Sequence, residues 1–308
     1  MEQHSHIHDH SFDEKNPHIR IDGKIFSKFV ITIVLNLSIT IFEIVGGLVS
    51  GSLMLISDSL HNFADSLSLI LSFFAIKISK REKNKRKTFG YKRAEIIVSL
   101  FNSSFLLITS FFIIWESIKR FLKPEIINSN ILLFVSFTGF LGNLISVFIL
   151  HRDSSKSLNI RSSYLHLLAD TLSSVGVIIG AIFIKLYKIY FVDSILSFLI
   201  SLYIIFQTYS IFKKSIDILM QSSVELDYDS IKKDIEKIDG VKNIHHVHTW
   251  MTNETTFYFE AHVELEDMML SQTCKIMEKI EKLLKEKYGI THTTIQFETN
   301  KCENKSMF

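Results

Sequence analysis

Two nine-residue stretches of this 308-residue chain nearly repeat each other, and each places charge inside an apolar run. One reads Leu60-His61-Asn62-Phe63-Ala64-Asp65-Ser66-Leu67-Ser68; the other reads Leu165-His166-Leu167-Leu168-Ala169-Asp170-Thr171-Leu172-Ser173. Ionisable side chains at membrane depth are costly and mark functional sites. Residues four apart on a helix share a face, with Cβ atoms about 5–6 Å apart. One helix thus offers an imidazole nitrogen and a carboxylate oxygen to the same ion, and two helices offer four ligands. His61, Asp65, His166 and Asp170 make an N2O2 set that suits tetrahedral Zn2+. Imidazole disfavours Mg2+ and Ca2+, which take oxygen. Two aspartates offset the charge of a dication in a low-dielectric interior. The competing reading is structural: two inward-facing polar clusters that hold helices together. Imidazole ordinarily titrates near pH 6.5, so protons compete with metal for the same nitrogen. A site opening alternately to two sides then exchanges metal for protons without a nucleotide, and the chain holds no P-loop. It also lacks His-Glu-x-x-His, and four ligands leave no obvious base, so an enzyme is not expected.

The elements that must position these residues are membrane helices. The chain is 47% hydrophobic with 26 Phe, and its mean hydropathy is positive. Six segments are long enough to cross a hydrocarbon core of about 30 Å: 28–49, 53–79, 94–117, 129–150, 161–185 and 190–212. Asn36, Glu43, Asp58, Asn102, Asn143 and Asp193 fall within them and are expected to face inward. Asp58, one turn before His61, reads either as a partner that orients the imidazole or as a helix-end polar residue. Glu43 and Asp193 read as pathway-lining groups or as bundle pairs. Gly176 and Gly180 form a small-xxx-small pair that permits close helix approach.

Basic residues set the orientation. Lys77 to Arg93 carries nine Lys/Arg against one acid, Glu82. Arg152, Lys156, Arg161, Lys213 and Lys214 follow the same side, whereas Lys119, Arg120 and Lys123 run against the trend. Both termini are therefore expected in the cytoplasm. Residues 1–24 lack a secretory signal's apolar core and cleavage site, so the first apolar segment is read as a retained anchor. That leans toward a bacterial inner or plasma membrane. Net charge is only +2, which gives no sign of a nucleic-acid partner. Cys274 and Cys302 lie in the polar C-terminal part and imply no disulfide framework.

The pattern predicts a His-rich tail over 1–24, a membrane domain over 25–215, a soluble domain over 216–300 and a tail over 301–308. In the soluble part, Asp229–Lys237 reads as an amphipathic helix, and Val241–Met251 and Thr256–Leu265 alternate as strands. Ser271–Tyr288 is helical with Gly289 as its cap, and Ile290–Glu298 is a last strand. The order αββαβ gives an α+β layer of two helices on a small sheet. A module of about 80 residues benefits from a partner.

With the paired His-xxx-Asp motifs in the second and fifth of six helices, the chain resembles the cation diffusion facilitators. Supporting matches are Ser57-Asp58-Ser59-Leu60-His61, Thr88-Phe89-Gly90-Tyr91-Lys92-Arg93-Ala94-Glu95 and Val247-His248-Thr249-Trp250. The resemblance spans residues 25–300. It implies a dimeric exporter of Zn2+ exchanged for protons, with a ferredoxin-like cytoplasmic domain. It also implies a transport site of His61, Asp65, His166 and Asp170. Cd2+, Co2+, Ni2+, Fe2+ or Mn2+ as main cargo, or a membrane-anchored metal sensor that does not transport, are the alternatives.

Strand alternation places His246 and His248 on one face of the first strand and His245 on the other. The resemblance implies regulatory metal in this domain, with His248, His262, His292 and Glu298 as ligands, Cys302 as an addition and His245 as the alternative. Partly exposed strand histidines without metal are the plain reading. Lys83–Arg93 holds no His or Asp, so a metal site there is not expected. Its cations meet anionic lipid headgroups or acidic groups of the partner domain, or serve topology alone. The tail His4-Ser5-His6-Ile7-His8-Asp9-His10 reads as a metal-collecting arm.

Overall fold

The computed structural model describes residues 23–151, 158–301 and 306–307, with the side chains of 23–30, 150, 158–163, 165 and 166 outside that description. The His-rich tail and Cys302 lie outside the described residues. Six long helices come first: α1 (Gly23–Ser50), α2 (Leu53–Ser79), α3 (Arg93–Leu122), α4 (Ser129–His151), α5 (Leu158–Tyr187) and α6 (Phe191–Leu219). All six are long and apolar enough to span a membrane, and each contains part of an expected segment. Several run longer than expected. At 1.5 Å per residue, the 29 residues of α6 extend about 43 Å, past a hydrocarbon core of about 30 Å.

The helices sort into two groups. α1, α2, α4 and α5 pack on one another, and α3 lies along α6, joined to the rest mainly through α2 and also where α6 meets α5. Large side chains fall on the outside of the bundle: Phe73, Phe112, Phe148 and Phe206 are exposed. Inside are small polar residues. On α3, Ser103, Ser110 and Ser117 are buried; on α6, Ser194, Ser201, Thr208 and Ser215 are. Both rows repeat every seven residues, two helical turns, as in a coiled-coil seam. Small side chains let backbones approach where lipid supplies no hydrophobic drive. Ser215 meets Ser99 at 3.1 Å, and Ser57 of α2 meets Ser201 at 3.1 Å.

Glycine plays the same part between α1 and α4. A Cβ on Gly139 would overlap the carboxylate of Glu43, and one on Gly142 would overlap Ile39. Of the expected Gly176/Gly180 pair, only Gly180 is a close approach, against Leu196 and Met54; Gly176 faces open space.

The start of α2 is fixed from outside. Ser52 accepts from the Leu55 N–H at 3.2 Å as N-cap. Asp193 of α6 accepts from Ser52 Oγ, from the Leu53 N–H at 2.8 Å and from the Met54 N–H at 3.3 Å. Arg120 Nη1 donates to Gly51 O at 2.6 Å and pairs with Glu116 and Glu125, both at 3.3 Å. Arg120, one of the three basic residues that ran against the orientation trend, thus belongs to a local network.

The soluble part has the expected order: α7 (Tyr228–Glu236), β1 (Val241–Asn253), β2 (Thr256–Leu265), α8 (Leu270–Tyr288) and β3 (His292–Glu298). β1 and β2 form an antiparallel hairpin, and β3 joins β2 in parallel. Ile231, Ile235, Ile276, Ile280 and Leu284 of the two helices bury against Ile244, Phe259, Ala261 and Val263. α8 ends at Gly289, whose φ of +70° favours glycine. Asp234 locks α7 to α8, accepting from Lys287, from Tyr288 Oη at 2.7 Å and from Lys237 at 3.1 Å. Those donors, Lys287 foremost, hold its carboxyl well below the usual range.

Candidate metal centre

The position of α2 decides where its ligands fall. Residues 61 and 65 lie one turn apart on the helix whose start Asp193 holds. His61 Nε2 stands 3.3 Å from Asp65 Oδ2. Asp170 approaches from α5, and ligand atoms of His61, Asp65 and Asp170 all lie within 4.8 Å of one another. Asp170 is buried, whereas His61 and Asp65 keep about a quarter of their side chains accessible, 26% and 21%. The cluster is therefore partly accessible through His61 and Asp65. His166 lies one turn before Asp170 on α5; its side chain is outside the described ones. Three of the four expected ligands are thus brought together by two helices far apart in sequence.

The surrounding polar residues have their own partners. Asp58 accepts from Ser173 Oγ of α5 at 2.6 Å, tying α2 to α5 beside the cluster. Asn143 of α4 donates to Ser174 at 3.1 Å, and Asn36 of α1 donates to Ser66 at 3.0 Å. Glu43 is buried beside Asn62 of α2 and against Gly139 of α4. Each helix that carries ligands is therefore cross-braced at the level of the site. The Asp193 contact lies at the first turn of α2, so that residue anchors a helix end.

A second cluster sits in the soluble domain. His245 Nε2 is 2.7 Å from Glu298 Oε1, and His262 Nδ1 is 3.5 Å from Glu298 Oε2. Ligand atoms of these three residues also lie within 4.8 Å of one another. Register explains the meeting: His245 pairs with His262, and Glu298 pairs with the nearby Glu264. His292 stands at the other end of β3, opposite Tyr258 and 5.0 Å from its ring. Six residues of strand span about 20 Å, so the structure does not bring His292 to this cluster. His248 points outward with His246; their Nε2 atoms are 3.3 Å apart.

A bulge between His245 and His248 breaks the simple alternation. His246 takes φ +51°, and its ring comes to 4.7 Å from that of His262. Ile244 and His245 are consequently both buried, and His246 becomes a neighbour of the cluster. Period-two reading has no signal for this. The adjacent histidines His245-His246 were the only hint in the chain.

Both halves of the chain match described families. Residues 29–220 match the cation efflux transmembrane domain, and residues 224–300 match the cation efflux protein cytoplasmic domain. The chain is similar to the cadmium, cobalt and zinc/H(+)-K(+) antiporter of Bacillus subtilis, 36% identical over 263 residues covering 84% of each protein. It is 36% identical over 264 residues to the metal cation efflux system protein CzcD of Cupriavidus metallidurans, covering 85% of this chain and 83% of that protein. Against the zinc transporter ZitB of Escherichia coli it is 34% identical over 263 residues, covering 84% of this chain and 83% of the relative.

Proposed function

Since this chain belongs to the cation efflux family of multi-pass membrane transporters, we propose that it exports Zn2+ from the cytoplasm in exchange for protons. The observation that carries the reading is the convergence of His61, Asp65 and Asp170 inside the helix bundle. His166, one turn before Asp170, supplies the fourth ligand and completes the tetrahedral set. Zn2+ is the preferred cargo because imidazole and carboxylate in equal number suit a borderline dication better than a hard one. The names of the relatives support both parts, zinc for ZitB and exchange against H+ for the Bacillus subtilis protein.

The steps follow from proton and metal competition. Facing the cytoplasm, the site gains Zn2+ as its imidazoles give up protons. Facing a more acidic exterior, the imidazoles take protons and the metal leaves. Two negative aspartates keep the site near neutral with metal bound, so the loaded site rests in the bilayer interior without net charge as its opening changes sides. The cross-braces Asp58–Ser173 and Asn143–Ser174 let α2 and α5 move with their neighbours as one body.

The cytoplasmic domain pairs two copies, so the transporter is a homodimer. Its His245, His262 and Glu298 cluster holds a regulatory metal ion, with His246 beside it. Reconstituted protein in vesicles with a pH gradient tests the whole reading. Zinc flux driven by the gradient is expected. Zinc binding without flux at saturating metal would instead assign the chain to metal sensing or buffering.

A further inference from the structure

The connection between α2 and α3 is a folded element. Asn84 Oδ1 accepts from the Arg86 and Lys87 N–H groups, both at 2.9 Å. Asn84 Nδ2 donates to Tyr91 Oη at 2.7 Å, and Gly90 turns the chain at φ +79°. Phe89 then meets the ring of Tyr258 edge-on at 5.5 Å, and Lys92 Nζ donates to Thr256 Oγ1 at 2.9 Å. Both contacts fasten the connection to the cytoplasmic sheet.

Between the connection, the first turn of α3 and β1 lies a cavity of about 440 Å3. Arg86, Lys87, Lys92 and Arg93 line it, with Trp250 and Gln221, and no carboxylate does. Among the described residues, Arg86, Lys87 and Arg93 have no acidic partner. Four cations around a cavity without an acid select an anion, and the guanidinium fork fits phosphate oxygens. Positive-inside topology accounts for the number of cations but not for a folded frame that gathers four of them around one cavity.

The surroundings point to a lipid rather than a free anion. Ile97, one turn into membrane helix α3, lines the same cavity and is 57% exposed, and Phe89 is 55% exposed. An apolar rim therefore leads from the cations onto the membrane-facing side of α3. The cytoplasmic domain forms one wall, which places the cavity at the cytoplasmic leaflet. We propose that this cavity binds the phosphate headgroup of an anionic phospholipid, with acyl chain running along Ile97. Gln221, at φ +59° where α6 hands over to the soluble domain, lines the cavity too. A bound headgroup thus touches the α2–α3 connection, the exit of α6 and the sheet, and stabilises their docked arrangement.

The test uses the full-length protein in nanodiscs of phosphatidylcholine with or without phosphatidylglycerol, reading retained lipid by native mass spectrometry. Arg86→Gln with Arg93→Gln is compared with Lys83→Gln with Lys85→Gln, which removes equal charge from the same connection outside the cavity. Each cation near a membrane surface contributes about fivefold in affinity, so the cavity pair is expected to lose about thirtyfold in phosphatidylglycerol retention. The control pair is expected to lose much less. Equal losses in the two pairs would overturn the site in favour of general charge attraction. Displacement of the lipid by millimolar inorganic phosphate would overturn the lipid assignment in favour of a soluble anion. The readout is independent of zinc flux, so it stands or falls apart from the transport reading.

Discussion

Asp193 is the residue whose removal should most clearly separate folding from chemistry. It sits on α6, is 1% exposed, and touches no metal ligand. Its carboxylate receives Ser52 Oγ and the N–H groups of Leu53 and Met54 at the start of α2. Of the two backbone bonds, that from Leu53 is of ordinary length at 2.8 Å and that from Met54, at 3.3 Å, is long. A hydrogen bond to a charged group contributes about 1.5–3 kcal/mol, and the helix N-terminus adds a favourable dipole. Asp193→Ala leaves these donors without that acceptor while the surrounding protein keeps Ser52, Leu53 and Met54 buried. The expected loss is about 3–5 kcal/mol, taking two good bonds and discounting the third. Asp193→Asn keeps an acceptor oxygen and should lose about 1–2 kcal/mol. Purified protein in detergent, melted with a thiol-reactive or tryptophan probe, reads the difference. The alanine variant should melt on the order of 10 °C lower, with asparagine between it and the wild type. Zinc flux should fall in the same order, since α2 carries His61 and Asp65. An alanine variant that melts with the wild type would refute the reasoning that Asp193 anchors α2.

Three further outcomes are expected. Gly139→Ala drives a methyl into the Glu43 carboxylate and should destabilise by about 1–3 kcal/mol, while Gly176→Ala meets nothing within 4 Å and should be neutral or stabilising; melting temperatures of the two compare them directly. Asp234 has a lowered carboxyl pKa through Lys287, Tyr288 and Lys237. Its contribution is therefore full above the ordinary Asp value of about 3.9 and is lost as pH falls through the folded value. Asp234→Asn should weaken the cytoplasmic domain at neutral pH and converge with wild type in strong acid, as read by Trp250 fluorescence in denaturant. His61→Asp exchanges a nitrogen ligand for oxygen and should shift flux in competition assays from Zn2+ toward Mn2+; an unchanged preference would argue against His61 as a ligand.

The helix bundle and the αββαβ order were legible because each rests on local periodicity. Apolar runs of about 20 residues and period-two strands carry their own signal. The His61/Asp65 pairing followed from helical spacing, since a four-residue step needs no tertiary knowledge. The heptad rows Ser103–Ser110–Ser117 and Ser194–Ser201–Thr208–Ser215 were also visible in the letters. They identify the α3–α6 seam once small residues are read as contact surface. Asp193 was harder. Its partners lie about 140 positions away, and nothing local distinguishes a distant helix cap from a pathway carboxylate. The cytoplasmic cluster was partly legible: His262 and Glu298 were singled out with His245 as the alternative, but His248, which is exposed, and His292, which strand length separates from the cluster, were grouped with them. The bulge at His246 has no sequence signature beyond the paired histidines, because a register shift is decided by the partner strand.

The central claim is that one intramembrane site, built from α2 and α5, carries zinc against protons. It is tested most directly by zinc flux in pH-gradient vesicles with Asp65→Ala and Asp170→Ala, alongside melting of the same proteins. If both carboxylates hold the ion, as proposed, flux should vanish in each variant while the protein still melts cooperatively. Retained proton-driven zinc flux in either variant would contradict the account.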